Sequence, residues 1–293
     1  MTGINDFAVQ VPSPLIELRD ITLERRGIHL YIKRDDLIHP DIPGNKWRKL
    51  KYNIAAAKEQ NAASLLTFGG AYSNHIRATA AAGHYFGFRT IGIIRGEEHL
   101  PLNPSLNYAA SVGMCLSYLD RASYRNKTSP KVLDELRAKF GKFYLIPEGG
   151  SNELALAGCK ELPQEIDVNF DVICCACGTG GTLAGIAGGL KRGQHALGFS
   201  ALKGGDFLRN DIASLQRRAF GKETNNWSIA CDFHMGGYAR RTHELDSFIE
   251  SFERQHALHL DWVYVAKMMY GIFSLVEQGK FPQGTTLIAV VTG

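Results

Sequence analysis

The sequence of 293 residues has no apolar run approaching the roughly 20 residues that a bilayer-spanning helix requires. Its first 20 residues also lack a basic head followed by an apolar stretch. A cytoplasmic, unprocessed chain with no membrane partner is therefore expected. No run of like charge marks a nucleic-acid or anionic-membrane surface, and 33 Lys and Arg stand against 29 Asp and Glu, for a net charge of +4. Nucleic acid is accordingly not an expected partner. Cysteine is sparse too, and Cys115, Cys159, Cys174, Cys175, Cys177 and Cys231 are too irregularly spaced for a disulfide framework. Three of them fall in "ICCACGTGG", yet adjacent Cys174 and Cys175 would point to opposite faces of a strand, and no second Cys-x-x-Cys or His pair stands at ligand spacing. Small thiols in a buried strand are expected there, and no metal site. Low-complexity linkers, internal repeats, the G-x-G-x-x-G register of dinucleotide sites and the Gly-Lys-Ser/Thr of triphosphate loops are all missing.

What the sequence does have is alternation. Short apolar runs at 30–37, 64–70, 90–96, 115–120, 143–150, 171–181, 195–202, 227–234 and 286–293 are separated by segments such as 45–60, 74–87, 129–141 and 241–255 that carry helical periodicity. Strand, crossover, strand is the pattern of a parallel sheet covered by helices, an α/β fold. The chain is long enough for two lobes. The grouping of the runs implies a large domain from residues 1–50 and 150–293, with a small domain of residues 51–149 nested in it. A cleft between them would be lined by strand C-termini, where open parallel sheets bind ligands.

Three segments converge on that cleft. "CACGTGGTLAGIAGG" leaves a buried strand at Cys177 and enters a helix near Thr182. Gly178, Gly180 and Gly181 free the backbone to curl into a nest for one small phosphate, with the hydroxyls of Thr179 and Thr182 as further donors. A β-branched residue at Gly180 is expected to obstruct the phosphate more than it disturbs folding. The competing reading is that these glycines only let the helix pack close. "LLTFGGAYSNHIRATAAAG" ends a strand in Gly69-Gly70 and sets Ser73 or Asn74 where a helix N-cap belongs. Capping explains one of the two but not the Tyr-Ser-Asn-His group as a whole. "PGNKWRKLKYN" crowds four cations into residues 43–53. Lys46 directly follows the Gly44-Asn45 turn, nearest the cleft, whereas Arg48, Lys49 and Lys51 are expected to continue round the helix toward solvent. A phosphate nest, an amine after a turn and a polar Ser-Asn loop together resemble a pyridoxal phosphate site, in which a lysine forms a Schiff base with the cofactor and then moves substrate protons.

"KRDDL" and "GNKWRKL" at 33–50, "GGAYSNHIRATAAAG" at 69–83, "CGTGGTLAG" at 177–185, "VYVAKMMYG" at 263–271 and the terminal "VVTG" resemble, in order, the fold-type II pyridoxal phosphate enzymes grouped as 1-aminocyclopropane-1-carboxylate (ACC) deaminase and D-cysteine desulfhydrase. The resemblance covers essentially the whole chain and implies a two-lobed, tryptophan synthase β-like fold. It implies that Lys46 is the Schiff-base lysine, that Asn74 bonds the cofactor's ring hydroxyl and that Ser73 holds the substrate carboxylate. Gly178, Thr179, Gly180, Gly181 and Thr182 would hold the phosphate, Tyr238 and Tyr264 would face the substrate, and Thr292 would lie by the pyridine nitrogen. The tyrosines also read as core aromatics, and Thr292 as an ordinary strand residue.

Two departures stand out. The ring-opening deaminases resemble one another in a glutamate after the second tyrosine, where this chain has Val265; and the sequence ends at Gly293 where the family continues past a second glycine, so a differently closed cofactor edge is expected. The first departure favours β-elimination from a small amino acid of the D-cysteine type, giving a keto acid and ammonia. Ring opening of ACC is the alternative, and a non-catalytic phosphate-ligand-binding protein the next. Whether the chain forms a homodimer is left open.

Overall fold

The computed structural model describes residues 7–292; Gly293, and with it the expected difference at the chain end, lies outside the described residues. The first half runs β1 (Leu15–Leu18), α1 (Ile21–Arg26), β2 (His29–Arg34), α2 (Asn45–Glu59), β3 (Ser64–Gly69), α3 (Asn74–Phe86), β4 (Arg89–Arg95), α4 (Pro104–Ser111), β5 (Met114–Leu119), α5 (Arg121–Arg125), α6 (Pro130–Phe140) and β6 (Tyr144–Ile146). The second half runs α7 (Glu153–Lys160), β7 (Val172–Cys177), α8 (Gly181–Gly189), β8 (His195–Ser200), α9 (Leu208–Phe220), β9 (Trp227–Ala230), α10 (His243–His256), α11 (Val265–Glu277) and β10 (Thr286–Val291).

Two sheets result, one of six strands in the order β1-β2-β10-β7-β8-β9 and one of four in the order β5-β4-β3-β6. Every pairing is parallel except that of β1 with β2. Each apolar run holds a strand. β1, which none of the runs covers, is a four-residue edge strand whose side chains are half-buried or exposed, so it carries no continuous apolar signal.

Central strands of the large sheet are buried on both faces, as parallel strands under helices must be. Cys174 packs with Leu287 and Ala289 beneath α1, α10 and α11. Cys175 and Cys177 pack with Ile288 and Val290 on the other face beneath α7, α8 and α9. The cysteines thus alternate between two apolar cores, as thiols filling a strand do. The small sheet is sandwiched likewise, by α2 and α3 on one side and by α5 and α6 on the other.

Helix α2 belongs to both halves. Trp47, Leu50 and Ile54 sit in the small-sheet core, while Arg48 lies against α7, where a Cβ on Gly158 would overlap the Arg48 carbonyl. The expected domain boundary between residues 50 and 51 falls inside this helix. Its other flank corrects an expectation: Arg48 and Lys49 do not reach solvent but are 1% and 3% exposed. The Arg48 guanidinium is held by both Asp35 oxygens at 2.7 and 2.9 Å and by Glu165 at 2.6 and 2.8 Å. Only this saturation of charge and hydrogen bonds makes so deep a burial tolerable. Lys51 is half-buried and paired with Glu161.

Candidate active site

Gly44 starts the site. Its φ of 58° favours glycine, and any Cβ there would collide with the Thr292 carbonyl. The turn therefore lies directly on the end of β10 and sets the first residues of α2 at the C-terminal edge of the large sheet. A cavity of about 430 Å³ opens there, reached from the opposite side by the C-terminal ends of β3 and β4. Lys46, Ser73, Asn74, Gly178, Thr179, Gly180, Thr182, Tyr238, Tyr264 and Thr292 all line it. Gly181 does not; the position of its missing Cβ lies 2.5 Å from Ser151 Oγ.

Lys46 is half-buried, and its amine donates to Asn45 Oδ1 at 2.8 Å. Asn45, itself buried, donates through Nδ2 to Thr182 Oγ1 at 2.7 Å, so one side chain ties the amine to the glycine loop. Because Thr182 Oγ1 accepts that bond, its own proton remains to donate elsewhere. Burial, and next the neighbouring Lys49 ammonium, lower the Lys46 pKa to about 7. An amine so placed is largely neutral just above pH 7, which a nucleophile or base requires.

Lys49 is a residue that sequence reasoning sent to solvent and the fold brings in. It lines the cavity and donates to the Gly149 carbonyl at 3.0 Å and to Ser151 Oγ at 3.2 Å. Burial pushes its pKa down as well. The signal was its spacing: three residues after Lys46, it shares that residue's helix face.

Around the loop between β7 and α8, Gly180 is left-handed at φ 74° and supplies no side-chain cap, so the first N–H groups of α8 are not satisfied by a capping side chain. Thr179 Oγ1 and Ser151 Oγ are hydrogen-bonded at 2.7 Å. A Cβ on Gly180 would meet Ile212 Cγ1 at 2.5 Å, and one on Gly181 would lie 3.3 Å from the Lys49 amine. These two glycines do allow close packing, against α9 and the Ser151 side chain, and the helix start beside them carries no side-chain cap. It also corrects the expected effect of a side chain at Gly180, which would strike α9 before it met a ligand.

Across the cavity, Ser73 caps α3 by accepting from the Ile76 N–H at 3.3 Å, and Asn74 opens the helix. Capping and cavity lining are thus both true of Ser73. His75 is buried with Nε2 2.8 Å from Thr67 Oγ1, and Thr67 donates on to the Ile146 carbonyl. Burial and the two nearby lysines hold its pKa well below the usual imidazole value, so it is neutral.

Tyr238 and Tyr264 meet edge to face, 5.9 Å between centroids at 62°. Burial raises both phenol pKa values, so both stay protonated donors. Two residues missed in the sequence hold them. Asp261 accepts from the Tyr264 N–H at 2.8 Å, and buried Lys267 on α11 donates to the Gly237 carbonyl at 2.7 Å, beside Tyr238. Val265 is fully buried in the same apolar core as Val291, the residue before Thr292. The carboxylates among the described lining residues are Glu148, paired with Lys127 at 2.9 Å, and the exposed Asp211.

This donor set fits pyridoxal phosphate. It offers one amine of lowered basicity, a glycine loop at a helix start without a side-chain cap, threonine hydroxyls and a buried ammonium for a phosphate dianion. Comparison with known proteins agrees. The family model described as "Pyridoxal-phosphate dependent enzyme" matches residues 8–293. A putative ACC deaminase of Pyrococcus furiosus is 31% identical over 91% of this chain and 85% of its own length. A bifunctional D-cysteine desulfhydrase/ACC deaminase of Arabidopsis thaliana, mitochondrial, is 32% identical over 91% of this chain and 72% of its own length. Among solved structures, an ACC deaminase homologue superposes with a TM-score of 0.87 at 28% identity, covering 98% of this chain and 90% of that one. With the family model spanning nearly the whole chain and the solved ACC deaminase homologue sharing its fold, this protein belongs to the fold-type II pyridoxal-phosphate-dependent enzymes.

Proposed function

We propose that this chain removes a β-leaving group from a small amino acid of the D-cysteine type, releasing a keto acid and ammonia. The observation that carries the reading is Val265, buried in the same apolar core as Val291, the residue before Thr292, at the position where the resemblance gives ring-opening deaminases a glutamate. When bound, pyridoxal phosphate supplies an electron sink for the substrate α-carbon, stronger beside an acid than beside a hydroxyl such as that of Thr292. Elimination carries its electrons out with the leaving group and asks less of that sink than ring opening does.

The cavity lining and the resemblance support the following roles. Lys46, its pKa lowered to about 7 so that much of it is unprotonated there, would accept the α-proton once freed, and Asn45 holds its amine toward the glycine loop in the cofactor-free protein. The start of α8, Thr179, Thr182 and Lys49 hold the phosphate, and Asn74 positions the cofactor ring. Ser73 and the adjoining backbone hold the substrate carboxylate, and the protonated hydroxyls of Tyr238 and Tyr264 face the departing group. The small sheet and its helices, nested within the chain, form the second wall and make a separate domain whose border lies in α2. The two relatives named above support either elimination or ring opening. Keto-acid release from D-cysteine is therefore to be measured beside release from ACC, at equal enzyme. D-Cysteine is expected to be the faster substrate; efficient ACC turnover with D-cysteine inert replaces this reading with ring opening.

A further inference from the structure

Lys46 and Lys49 are two of the cations in the cavity, and the functional reading uses both. Arg95 is a third and is so far unemployed. It ends β4, one strand over from β3 and the Ser73 loop, and it lines the cavity. Its guanidinium reaches across that loop, with Nη2 3.6 Å from the point where a Gly70 Cβ would stand. Its charge is close enough to Tyr238, on the facing wall, to favour that phenol's ionised form. Glu148, the carboxylate lining the same side, is taken by Lys127 at 2.9 Å. Arg95 is exposed at the cavity edge and makes no hydrogen bond or ion pair with any described residue; its guanidinium carbon lies 6.0 Å from the Tyr124 ring centroid, at the outer edge of a cation–π interaction. Being exposed, the fork stays solvated beside a neutral substrate side chain and gains a pairing only with an anionic one.

We infer that Arg95 selects amino acids whose β-substituent ends in an oxyanion, the planar fork taking two of its oxygens. The inference rests on the elimination reading and narrows its substrate. A carboxylate, sulfonate or phosphate offers the geometry that a guanidinium matches bidentately and an ammonium does not. The Ser73 loop follows β3, whereas Arg95 ends the neighbouring β4 and its charge reaches Tyr238 on the facing wall, which the functional reading sets against the substrate's side chain. For O-phosphoserine the α-proton passes to Lys46, the Cβ–O bond breaks with its electron pair on the phosphate, and one water enters, giving pyruvate, ammonium and hydrogen phosphate. No oxidant or reductant is needed.

The test compares holoenzyme with Arg95→Gln and Arg95→Lys, using each enantiomer. Binding of aspartate against alanine, neither of which has a leaving group, is read from the absorption of the bound cofactor; kcat/KM is read for O-phosphoserine against β-chloroalanine. In Arg95→Gln both anion-to-neutral ratios are expected to fall by about 10- to 100-fold, and Arg95→Lys to restore part of the loss. Unchanged ratios overturn the inference, whether because both ligands weaken together, as they would if Arg95 held the α-carboxylate, or because neither does, as for a solvated arginine. If no β-substituted amino acid is turned over while the aspartate preference still collapses in Arg95→Gln, the elimination reading fails and the assignment of Arg95 stands.

Discussion

The two strand-to-helix junctions that face each other across the cavity solve the same backbone problem in opposite ways. Where β3 meets α3, a serine side chain closes the helix start, and Ser73 Oγ takes the Ile76 N–H. Where β7 meets α8, a left-handed glycine stands at the cap and supplies no side chain, so the helix start is left for something else to satisfy. A junction that caps itself can present a hydroxyl and an amide to a substrate. One that leaves its amides uncapped is built to be completed by an anion. The glycines differ accordingly. A Cβ on Gly70 would find Arg95 Nη2 at an ordinary 3.6 Å, whereas Gly180 and Gly181 are walled in by Ile212 and Ser151.

That contrast is broken most severely by alanine at each loop. Gly180→Ala must place a side chain at φ 74° and 2.5 Å from Ile212 Cγ1. Left-handed strain of about 1–2 kcal/mol and overpacking of about 1–3 kcal/mol are expected to add, so the apoprotein should lose roughly 2–5 kcal/mol of unfolding free energy in urea. Gly70→Ala, which would make only an ordinary 3.6 Å contact with Arg95 and meets no left-handed backbone, is expected to lose less than about 1 kcal/mol. Equal losses would mean that the two loops are not differently constrained.

Ser73 sharpens the other half of the comparison, with a smaller effect. Ser73→Ala removes the cap and is expected to cost about 1 kcal/mol of stability, together with the hydroxyl that faces the cavity. Ser73→Asp can cap equally well but sets a carboxylate against the substrate's own. It is expected to unfold like the parent in urea while binding amino acids more weakly than Ser73→Ala does. If Ser73→Asp binds amino acids as the parent does, the substrate carboxylate is held elsewhere.

How far these junctions could be read from the residues depends on the kind of signal each carries. Parallel strands buried on both faces, such as β7 and β10, announce themselves as apolar runs, and Gly44-Asn45-Lys46 announced a turn feeding a helix. The half-exposed edge strand β1 left no such mark. Arg48 and Lys49 were misjudged because helical position alone separates the inner from the outer face of a helix only if one neighbour is assumed. Helix α2 has two, the small sheet beneath Trp47 and Leu50 and helix α7 beyond Arg48. The partners that make burial of these charges tolerable, Asp35 and Glu165 for Arg48 and the Gly149 carbonyl for Lys49, lie 13 to 117 residues away in the chain. Lys267 was missed for the same reason, since the Gly237 carbonyl it holds is 30 residues away, whereas Asp261 makes a local bond to the Tyr264 N–H three residues on, just before α11.

The smallest effect is also the most local, since it concerns two amines on one helix face. In the apoprotein Lys46 titrates near pH 7 because burial disfavours its charge and Lys49 repels it. Acylation of Lys46 by an amine-selective reagent, followed by peptide mapping, is therefore expected to rise through a midpoint near pH 7, about three pH units before an ordinary lysine with its pKa near 10.5. Lys49→Met deletes the like charge and keeps the apolar stem, so the midpoint should move upward, with burial still holding it below the ordinary value. The sign extends to stability. The folded pKa of Lys46 lies below the unfolded one, so the unfolded chain binds more protons between about pH 7 and 10.5, and the unfolding free energy of the apoprotein rises with pH across that window. Lys46→Met removes that share of the slope, a share reduced by the partial exposure of the amine. A Lys46 midpoint that stays near pH 7 in Lys49→Met would mean that burial alone sets it and that Lys49 is itself uncharged in the apoprotein; the phosphate would then have to bring its own proton to that amine.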